Sequence, residues 1–232
     1  MSTTPSPEFD RYAGTYDRDL ANALSVTGES KDYYAQARVD WLSTCLSKLN
    51  VKVERVLDFG CGIGSNSPIL SSALHPKSVL GVDLSRESIE QAEAKYGSET
   101  LRFTRLNEFR PDGSYDLAFV NGVFHHIAPK ERPAALETIR AALKPQGLFA
   151  LWENNPWNPG TKYVMSRCVF DEDAITVSIP AARRMLRQAG FEVLRTDSLF
   201  YFPRSLRFLR PLEKWLSGLP LGGQYLVLAK RS

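Results

Sequence analysis

Short apolar runs alternate with amphipathic stretches along most of the chain, which is the pattern of strands alternating with helices. The first five apolar runs span 53–59, 78–83, 101–105, 115–121 and 148–152, and two more span 191–202 and 223–230. Helical periodicity or capping residues mark 31–50, the stretch after Gly64, 85–96, 129–143 and 180–189. This alternation predicts an α/β fold with a doubly wound, mostly parallel sheet and helices on both faces.

The chain divides into an N-terminal helical cap over 1–50 and a core over 51–232, with an amphipathic insert, 203–222, before the last strand. The apolar residues of this insert recur at helical spacing, at Phe208, Leu212, Trp215 and Leu219. We expect them to lie on one helical face and to cover an edge of the sheet. The alternative is that the basic insert meets an anionic membrane surface, an acidic substrate or a partner.

Composition and charge narrow the function. The net charge of +3, from 29 Lys and Arg against 26 Asp and Glu, is too slight to indicate nucleic-acid binding. Residues 183–232 carry a net charge of +7 and the rest of the chain −4. Three widely spaced cysteines predict a reducing, cytoplasmic compartment. No apolar run is long enough for a transmembrane helix, and residues 1–8 lack the pattern of a signal peptide.

The most informative stretch follows the first apolar run and reads Asp58-x-Gly60-x-Gly62-x-Gly64, with Ser65 and Asn66 able to cap the next helix. Glycines at alternate positions let a ligand lie against bare backbone. The helix start adds free N–H groups and a partial positive charge. The spacing is neither the dinucleotide fingerprint nor a phosphate loop, so the turn indicates a different ligand.

A carboxylate at the tip of the second strand points to a ribose. Asp83 lies 19 positions after Gly64, a distance set by one helix and two turns. The two oxygens of a carboxylate match the two adjacent hydroxyls of a ribose. A nicotinamide enzyme would place an acid here too, so Asp83 does not by itself fix the class of ligand. The alternative is that Asp83 caps the following helix.

Together these residues resemble the first motifs of the class I, seven-strand S-adenosylmethionine-dependent methyltransferases, small-molecule type. The resemblance implies a seven-stranded sheet with an antiparallel last strand and S-adenosylmethionine as cofactor. It places the cofactor against the following residues: Tyr12, Asp58, Gly60, Cys61, Gly62, Gly64, Asp83, Leu84, Asn107, Glu108 and Asn121. The stretch 9–17 looks like the family's N-terminal segment, in which Tyr16 would contact the substrate.

Candidate catalytic groups follow the fourth and fifth strands. His126, or alternatively His125, is placed to act as a general base, or else to hold its loop by hydrogen bonds. Glu153 follows strand five and opens a rigid polar loop that we expect to contact the substrate through Asn154, Asn155 and Trp157. Adjacent histidines lack the i, i+3 or i+4 spacing of a helical metal pair, so no metal is expected.

The sequence therefore predicts a methyltransferase that moves a methyl group from S-adenosylmethionine, by in-line displacement, to a small acidic or lipid-like acceptor. One alternative keeps this chemistry but takes RNA as the substrate. Another is a non-catalytic regulatory module that binds S-adenosylmethionine. A nicotinamide oxidoreductase is disfavoured by the glycine spacing.

Overall fold

The computed structural model describes residues 16–232, with only the backbone of Tyr16, Asp17 and Phe170. Its single sheet has seven strands: β1 (Arg55–Phe59), β2 (Ser78–Asp83), β3 (Leu101–Arg105), β4 (Tyr115–Asn121), β5 (Leu143–Asn154), β6 (Phe191–Leu199) and β7 (Gln224–Arg231). The strand order is β3-β2-β1-β4-β5-β7-β6. Strands β1 to β5 pair in parallel, whereas β7 runs antiparallel to both β5 and β6. The predicted fold class is confirmed, including the antiparallel last strand.

Eight α-helices are described: α1 (Tyr16–Leu24), α2 (Lys31–Lys48), α3 (Ser67–Leu74), α4 (Arg86–Tyr96), α5 (Arg132–Ala142), α6 (Pro159–Met165), α7 (Ile179–Gln188) and α8 (Glu213–Leu216). Short 3-10 segments cover Ser25–Thr27, Val169–Asp171 and Arg204–Leu212. Ser30 caps the start of helix α2, because its side chain accepts a hydrogen bond from the Tyr33 N–H. Among residues 16–232, no helix has both the length and the hydropathy that crossing a bilayer requires.

Two apolar clusters cover the two faces of the sheet. Successive residues of a strand point to opposite faces, so Leu57 of β1 packs in the cluster that contains α5 and α7. Its neighbour Val56 packs in the cluster that contains α2, α3 and α4. Because the central strands are buried on both faces, they appear in the sequence as continuous apolar runs.

Some predicted boundaries were wrong, for local reasons. Strand β5 begins at Leu143, directly after α5, instead of at 148, since Pro145 cannot continue a helix. The predicted strand 191–202 ends at Leu199, because Phe200 has a φ of +65° and turns the chain out of the sheet. Each difference comes from a single backbone conformation that apolar periodicity does not report.

The insert 203–222 differs most from its prediction. It forms 3-10 turns over Arg204–Leu212 and the short helix α8, with a break at Leu206 and Pro211 inside the turns. The side chains of Phe208 and Trp215 are 72% and 77% exposed. The expectation that one apolar helical face covers the sheet edge is therefore wrong, because a broken helix does not hold these side chains on one inward face.

Candidate active site

A cleft of about 940 Å³ opens at the carboxyl ends of β1, β2 and β4. Parallel sheets place ligand sites at this edge, where the chain leaves each strand in a loop. The glycine loop 60–64 and the tips of β2 and β4 form one wall of the cleft. The rest of the lining includes residues of α1, α2, α5, α6, the loop after β4 and the segment 200–203. The cleft thus joins the residues that precede β1 to those that follow β4 and β5.

The three glycines of the loop have different structural roles. All have a positive φ, of +74° at Gly60, +54° at Gly62 and +79° at Gly64. A Cβ on Gly60 would lie 2.4 Å from Cγ2 of Val123, and one on Gly64 would lie 2.9 Å from the Cβ of Ala92. A Cβ on Gly62 would meet no atom within 4 Å. Gly60 and Gly64 are therefore required by packing, whereas Gly62 leaves open space along the cleft.

Asp83, at the tip of β2, presents an oriented carboxylate to the cleft. Its Oδ2 accepts a hydrogen bond from the Gly62 N–H and its Oδ1 accepts one from the Ser85 N–H, both at 2.9 Å. A carboxylate oxygen can accept more than one hydrogen bond. The two oxygens are thus fixed by backbone and can still receive a pair of hydroxyl donors.

Polar groups from three other places complete this half of the cleft. Asn121 lies at the end of β4 and Cys61 in the glycine loop, and both line the cleft. Asn66 also lines it and occupies the N-cap position of α3, but its side chain makes no capping hydrogen bond. Its buried Oδ1 has no hydrogen-bond partner among the described residues. The predicted cap by Asn66 is therefore wrong, and its amide oxygen is an acceptor within the cleft wall.

Asp58 lies under the glycine loop instead of in the cleft lining. Its side chain is buried and accepts a hydrogen bond of 2.6 Å from the Ser67 hydroxyl. Burial, together with the nearby charge of Asp83, raises the pKa of the Asp58 carboxyl to about 7, against a smaller lowering by Ser67. Asp58 thus joins the end of β1 to the start of α3 and supports the loop from below.

A buried ionic network borders the cleft through His125 and Asp171. Glu153, at the end of β5, accepts a hydrogen bond from the Phe124 N–H at 2.7 Å and one from Nδ1 of His125 at 2.6 Å. Both side chains are almost fully buried. Although burial alone would lower it, the pKa of His125 is raised to about 10 by the carboxylates of Glu153 and Asp171. His125 is therefore a buried cation between two acids.

His126 lies beside His125, and the protonation state of its imidazole differs from that of His125. Oδ1 of Asp171 lies 3.4 Å from Nε2 of His125 and 3.4 Å from Nε2 of His126. Burial and the charge of His125 lower the pKa of His126 to about 4. Both histidines and Asp171 line the cleft. His126 is thus a neutral imidazole next to a carboxylate, which is the arrangement of a proton acceptor.

His125, His126 and Asp171 also come close enough to offer ligands to one cation, since their candidate ligand atoms all lie within 4.8 Å of one another. Two imidazoles and a carboxylate suit zinc or ferrous iron. The protonated His125, however, already neutralises part of the negative charge of Glu153 and Asp171. The absence of a metal stays a prediction, and chelation tests it directly.

Similarity to known proteins covers the residues of this cleft. A family model described as a methyltransferase domain matches residues 57–149. The N-terminal Xaa-Pro-Lys N-methyltransferase 1-B of Xenopus laevis is 27% identical over 63% of this chain and 66% of its own length. The phthiotriol/phenolphthiotriol dimycocerosates methyltransferase of Mycobacterium tuberculosis is 26% identical over 78% of this chain and 63% of its own. The chain thus spans less than two thirds of the length of these relatives.

A solved structure agrees in fold. The TehB-like S-adenosylmethionine-dependent methyltransferase of Corynebacterium glutamicum superposes with a TM-score of 0.62 at 19% identity, covering 96% of this chain and 98% of that one. The matched domain spans the glycine loop, Asp83, Asn121 and both histidines. The two chains share the fold of the class I S-adenosylmethionine-dependent methyltransferases. The prediction drawn from the glycine motif and Asp83 is confirmed at the level of fold, and the match to a methyltransferase domain supports the predicted family.

S-adenosylmethionine is the cofactor that this fold implies, and the cleft residues fit it. Gly62 leaves room for a ligand against the backbone, and the two oxygens of Asp83 suit the hydroxyls of a ribose. The unpaired Oδ1 of Asn66 can accept a hydrogen bond from an ammonium group. When bound, the cofactor supplies an electrophilic methyl group on a sulfonium, so the protein need only hold, align and deprotonate the acceptor.

Several predicted site residues do not line the cleft. Asn107 and Glu108 are exposed, and Leu106 lines the cleft in their place. Asn155 is buried and donates hydrogen bonds to the carbonyls of Pro220 and Gly222, which fixes its loop to the end of the insert. Trp157 is 46% exposed. Gly64 packs beneath the loop, whereas Leu84 and Asn154 line the cleft.

Two predicted residues fall at the N-terminus. Tyr12 lies outside the described residues. Tyr16 begins α1, but its side chain is not described. Both assignments stay predictions.

Sequence reasoning missed other residues of the cleft. Asp171 belongs to an acidic trio that looks like a solvated loop, yet its side chain is only 8% exposed. Arg38 enters the cleft from α2, and no motif marks it.

Proposed function

We propose that this methyltransferase transfers the methyl group of S-adenosylmethionine to a hydroxyl or amine of a small, lipid-like molecule. The observation that carries the proposal is that His126 and Asp171, 3.4 Å apart, line the same cleft as the glycine loop. A nucleophile held beside His126 would therefore share one cleft with a cofactor bound at the glycine loop. In-line displacement needs such an arrangement, in which acceptor and donor meet within one enclosed space.

The lining of the cleft favours an apolar acceptor. Apolar side chains come from each of the elements that cover it, including Leu20, Leu24, Ile127, Val164 and Met165. The Arg38 guanidinium in the lining donates a hydrogen bond to Gln224 at 2.9 Å, and Gln224 in turn donates one to Asn154 at 3.0 Å. A mostly apolar cleft with a few fixed polar groups suits a small molecule better than a polyanionic strand.

The histidines can activate the acceptor by removing its proton. When bound, S-adenosylmethionine would supply the methyl group, and the acceptor O–H or N–H would lose its proton to the imidazole of His126 as it takes that methyl group. The resulting imidazolium is stabilised by Oδ1 of Asp171, 3.4 Å away. His125 cannot take this proton at neutral pH because Glu153 and Asp171 already hold it in the protonated form. Its role is to orient Asp171 and the loop.

The named relatives act on unlike acceptors, so their names alone do not choose one. The Mycobacterium tuberculosis relative is named for a phthiotriol dimycocerosate, and the Xenopus relative for a protein N-terminus. The first agrees with the apolar lining of the cleft in this chain. The apolar lining of the cleft therefore supports a lipid-like acceptor, and the name of the mycobacterial relative agrees with it.

The test supplies S-adenosylmethionine carrying a deuterated methyl group and follows the label by mass spectrometry. The acceptors are long-chain alcohols, phenols and amines, a total lipid extract, a peptide with a free N-terminus, and ribosomal and transfer RNA. We expect label in organic-soluble molecules and its loss in His126→Ala. Label in RNA or peptide would refute the proposed acceptor class. Tight cofactor binding without transfer to any acceptor would support the regulatory alternative.

A further inference from the structure

The insert 203–222 is an unusual surface for a protein of this size. Six of the fourteen large apolar side chains that are exposed among the described residues belong to it: Leu206, Phe208, Leu212, Trp215, Leu219 and Leu221. Phe208 and Trp215 are the most exposed, at 72% and 77%. Scattered exposed apolar residues need no explanation, but such a concentration in one short segment marks a binding surface.

The same segment is positively charged on its outer side. Arg204, Arg207 and Lys214 are exposed, and the ammonium group of Lys214 lies 5.3 Å from the ring centroid of Trp215. The only acid of the insert, Glu213, is directed inward, where it accepts hydrogen bonds from the N–H groups of Phe200, Tyr201 and Phe202. The outer surface therefore combines bulky apolar side chains with cations and has no exposed carboxylate of its own.

The insert is also a fixed part of the fold. Arg210 forms an ion pair of 2.8 Å with Glu29 and stacks over the ring of Tyr33, with 4.5 Å between its guanidinium carbon and the ring centroid. Tyr201 donates a hydrogen bond to the carbonyl of Leu216 at 2.7 Å. These inner contacts hold the turns in place while Phe208 and Trp215 remain outside. The exposed apolar residues are thus presented by an ordered segment attached to the rim of the cleft.

We propose that residues 203–222 bind the surface of an anionic lipid bilayer, with Phe208 and Trp215 inserted among the headgroups and Arg204, Arg207 and Lys214 against the lipid phosphates. Aromatic side chains with adjacent cations are the usual composition of segments that lie in a membrane interface. Each Lys or Arg near an anionic surface contributes about 1 kcal/mol to such binding.

Charge favours a bilayer over a second copy of this chain. A symmetric dimer through the insert would place the same patch on both sides of the interface. The cations Arg204, Arg207 and Lys214 of one copy would then lie near the same cations of the other copy. The insert has no exposed acid that could offset this positive charge. An anionic lipid surface instead supplies a negative charge opposite each cation.

The position of the insert links the surface to the cleft. Tyr201, Phe202 and Pro203, which lead into the insert, line the cleft. An acceptor dissolved in the bilayer would therefore enter from the side on which the protein is docked. Membrane binding itself is independent of the proposed function, whereas delivery of the acceptor rests on it.

The experiment is co-sedimentation of the full chain with vesicles of phosphatidylcholine alone or with about 40% phosphatidylglycerol, without S-adenosylmethionine or acceptor. We expect binding only to the anionic vesicles, weakened by added salt because salt screens exposed charges. Phe208→Ser/Trp215→Ser should lower the partition coefficient at least about tenfold, and so should Arg207→Glu/Lys214→Glu.

Positions for matched controls lie near the start of β1, at the amino ends of the parallel strands. Leu49→Ser/Val51→Ser removes two exposed apolar side chains there, and Lys52→Glu/Lys77→Glu makes the same change of charge as the basic variant. Both should bind vesicles like the unaltered protein. Absence of binding to anionic vesicles, or equal losses in the controls, would overturn the proposal. So would a dimer in solution that Phe208→Ser/Trp215→Ser dissociates, since the surface would then be a self-association site.

Discussion

Oε2 of Glu153 lies 2.6 Å from Nδ1 of His125, so the carboxylate that ends β5 holds a buried imidazole from the loop after β4. Its other oxygen accepts a hydrogen bond from the backbone N–H of Phe124. The contact joins the carboxyl ends of the neighbouring strands β4 and β5 beside the cleft. It also separates the roles of the two adjacent histidines, because it holds a proton on His125 and leaves His126 neutral.

Glu153→Gln should change how stability depends on pH. The pKa of His125 is about 10 in the folded protein against 6.5 for the free side chain, so its contribution is fully present below pH 6.5 and is lost as the pH rises toward 10. At about 1.4 kcal/mol per pKa unit, this contribution is on the order of 2 to 5 kcal/mol. Urea unfolding of the unaltered protein between pH 6 and 9.5 should show this decline, and Glu153→Gln should flatten it.

Glu137→Gln is the control for that measurement, because Glu137 is exposed on α5. It should leave the slope of unfolding free energy against pH unchanged. If Glu153→Gln kept the slope of the unaltered protein, the raised pKa of His125 would not come from Glu153.

His126→Ala should abolish most turnover and leave cofactor binding intact. Loss of a general base lowers the rate by about 10²- to 10⁴-fold, while calorimetry should give the same dissociation constant for S-adenosylmethionine. In the unaltered enzyme, kcat/KM should fall on the acid side as the pH approaches 4, where His126 becomes protonated. A variant with full activity and an unchanged pH profile would remove His126 from the mechanism.

Asp83→Ala should weaken S-adenosylmethionine binding without unfolding the protein. Two hydrogen bonds to a charged carboxylate are together worth about 3 kcal/mol or more, which is a loss of about a hundredfold in affinity. Glu90→Ala is a suitable control, since Glu90 is exposed on α4, where it pairs with Arg86. Calorimetry that found equal affinities in the two variants would contradict the assignment of Asp83 to the ribose.

Chelation should have no effect on the enzyme. We expect no resident metal, so dialysis against EDTA should leave both turnover and S-adenosylmethionine affinity unchanged. Added zinc should inhibit, because it would compete for His125, His126 and Asp171, whose ligand atoms lie within 4.8 Å of one another. A loss of activity on chelation that zinc or ferrous iron restored would show instead that these residues hold a metal.

The fold was predictable because its signals are local. The central parallel strands are buried on both faces and appear as apolar runs, and several strands end in a polar residue such as Asp83 or Asn121. Carboxyl ends of parallel strands share one edge of the sheet, so the strand pattern alone predicts that these polar residues lie close together. What apolar periodicity could not show was backbone conformation at single residues, such as the positive φ of Phe200 that ends β6.

Only part of the cluster of histidines and carboxylates could be predicted from the sequence, because one member reaches it through tertiary folding. His125, His126 and Glu153 follow strands, which makes them catalytic candidates. Asp171 comes from a 3-10 turn after α6, and only the folding of that connection places it 3.4 Å from both imidazoles. The exposure of Phe208 and Trp215 was not predictable from spacing, because helical spacing indicates a continuous helix, which Pro211 prevents.

Alanine at two glycines of the loop should separate folding from cofactor binding. Gly60→Ala places its Cβ 2.4 Å from Cγ2 of Val123 at a φ of +74°, so overpacking and strain should destabilise the protein by about 2 to 4 kcal/mol. Gly62→Ala meets no atom within 4 Å and should cost only the strain of its positive φ, about 1 kcal/mol. Its methyl group, however, occupies space along the cleft, so S-adenosylmethionine affinity should fall at least about tenfold.

Two measurements on the same samples decide this contrast, namely urea unfolding and calorimetric titration with S-adenosylmethionine. Gly60→Ala/Val123→Ala should recover the part of the stability lost to overpacking, because the clashing methyl group of Val123 is removed. Gly62→Ala should keep nearly all of its stability and lose its ligand. If Gly62→Ala instead bound S-adenosylmethionine as tightly as the unaltered protein, the cofactor would not lie against Gly62, and the open space there would belong to the acceptor.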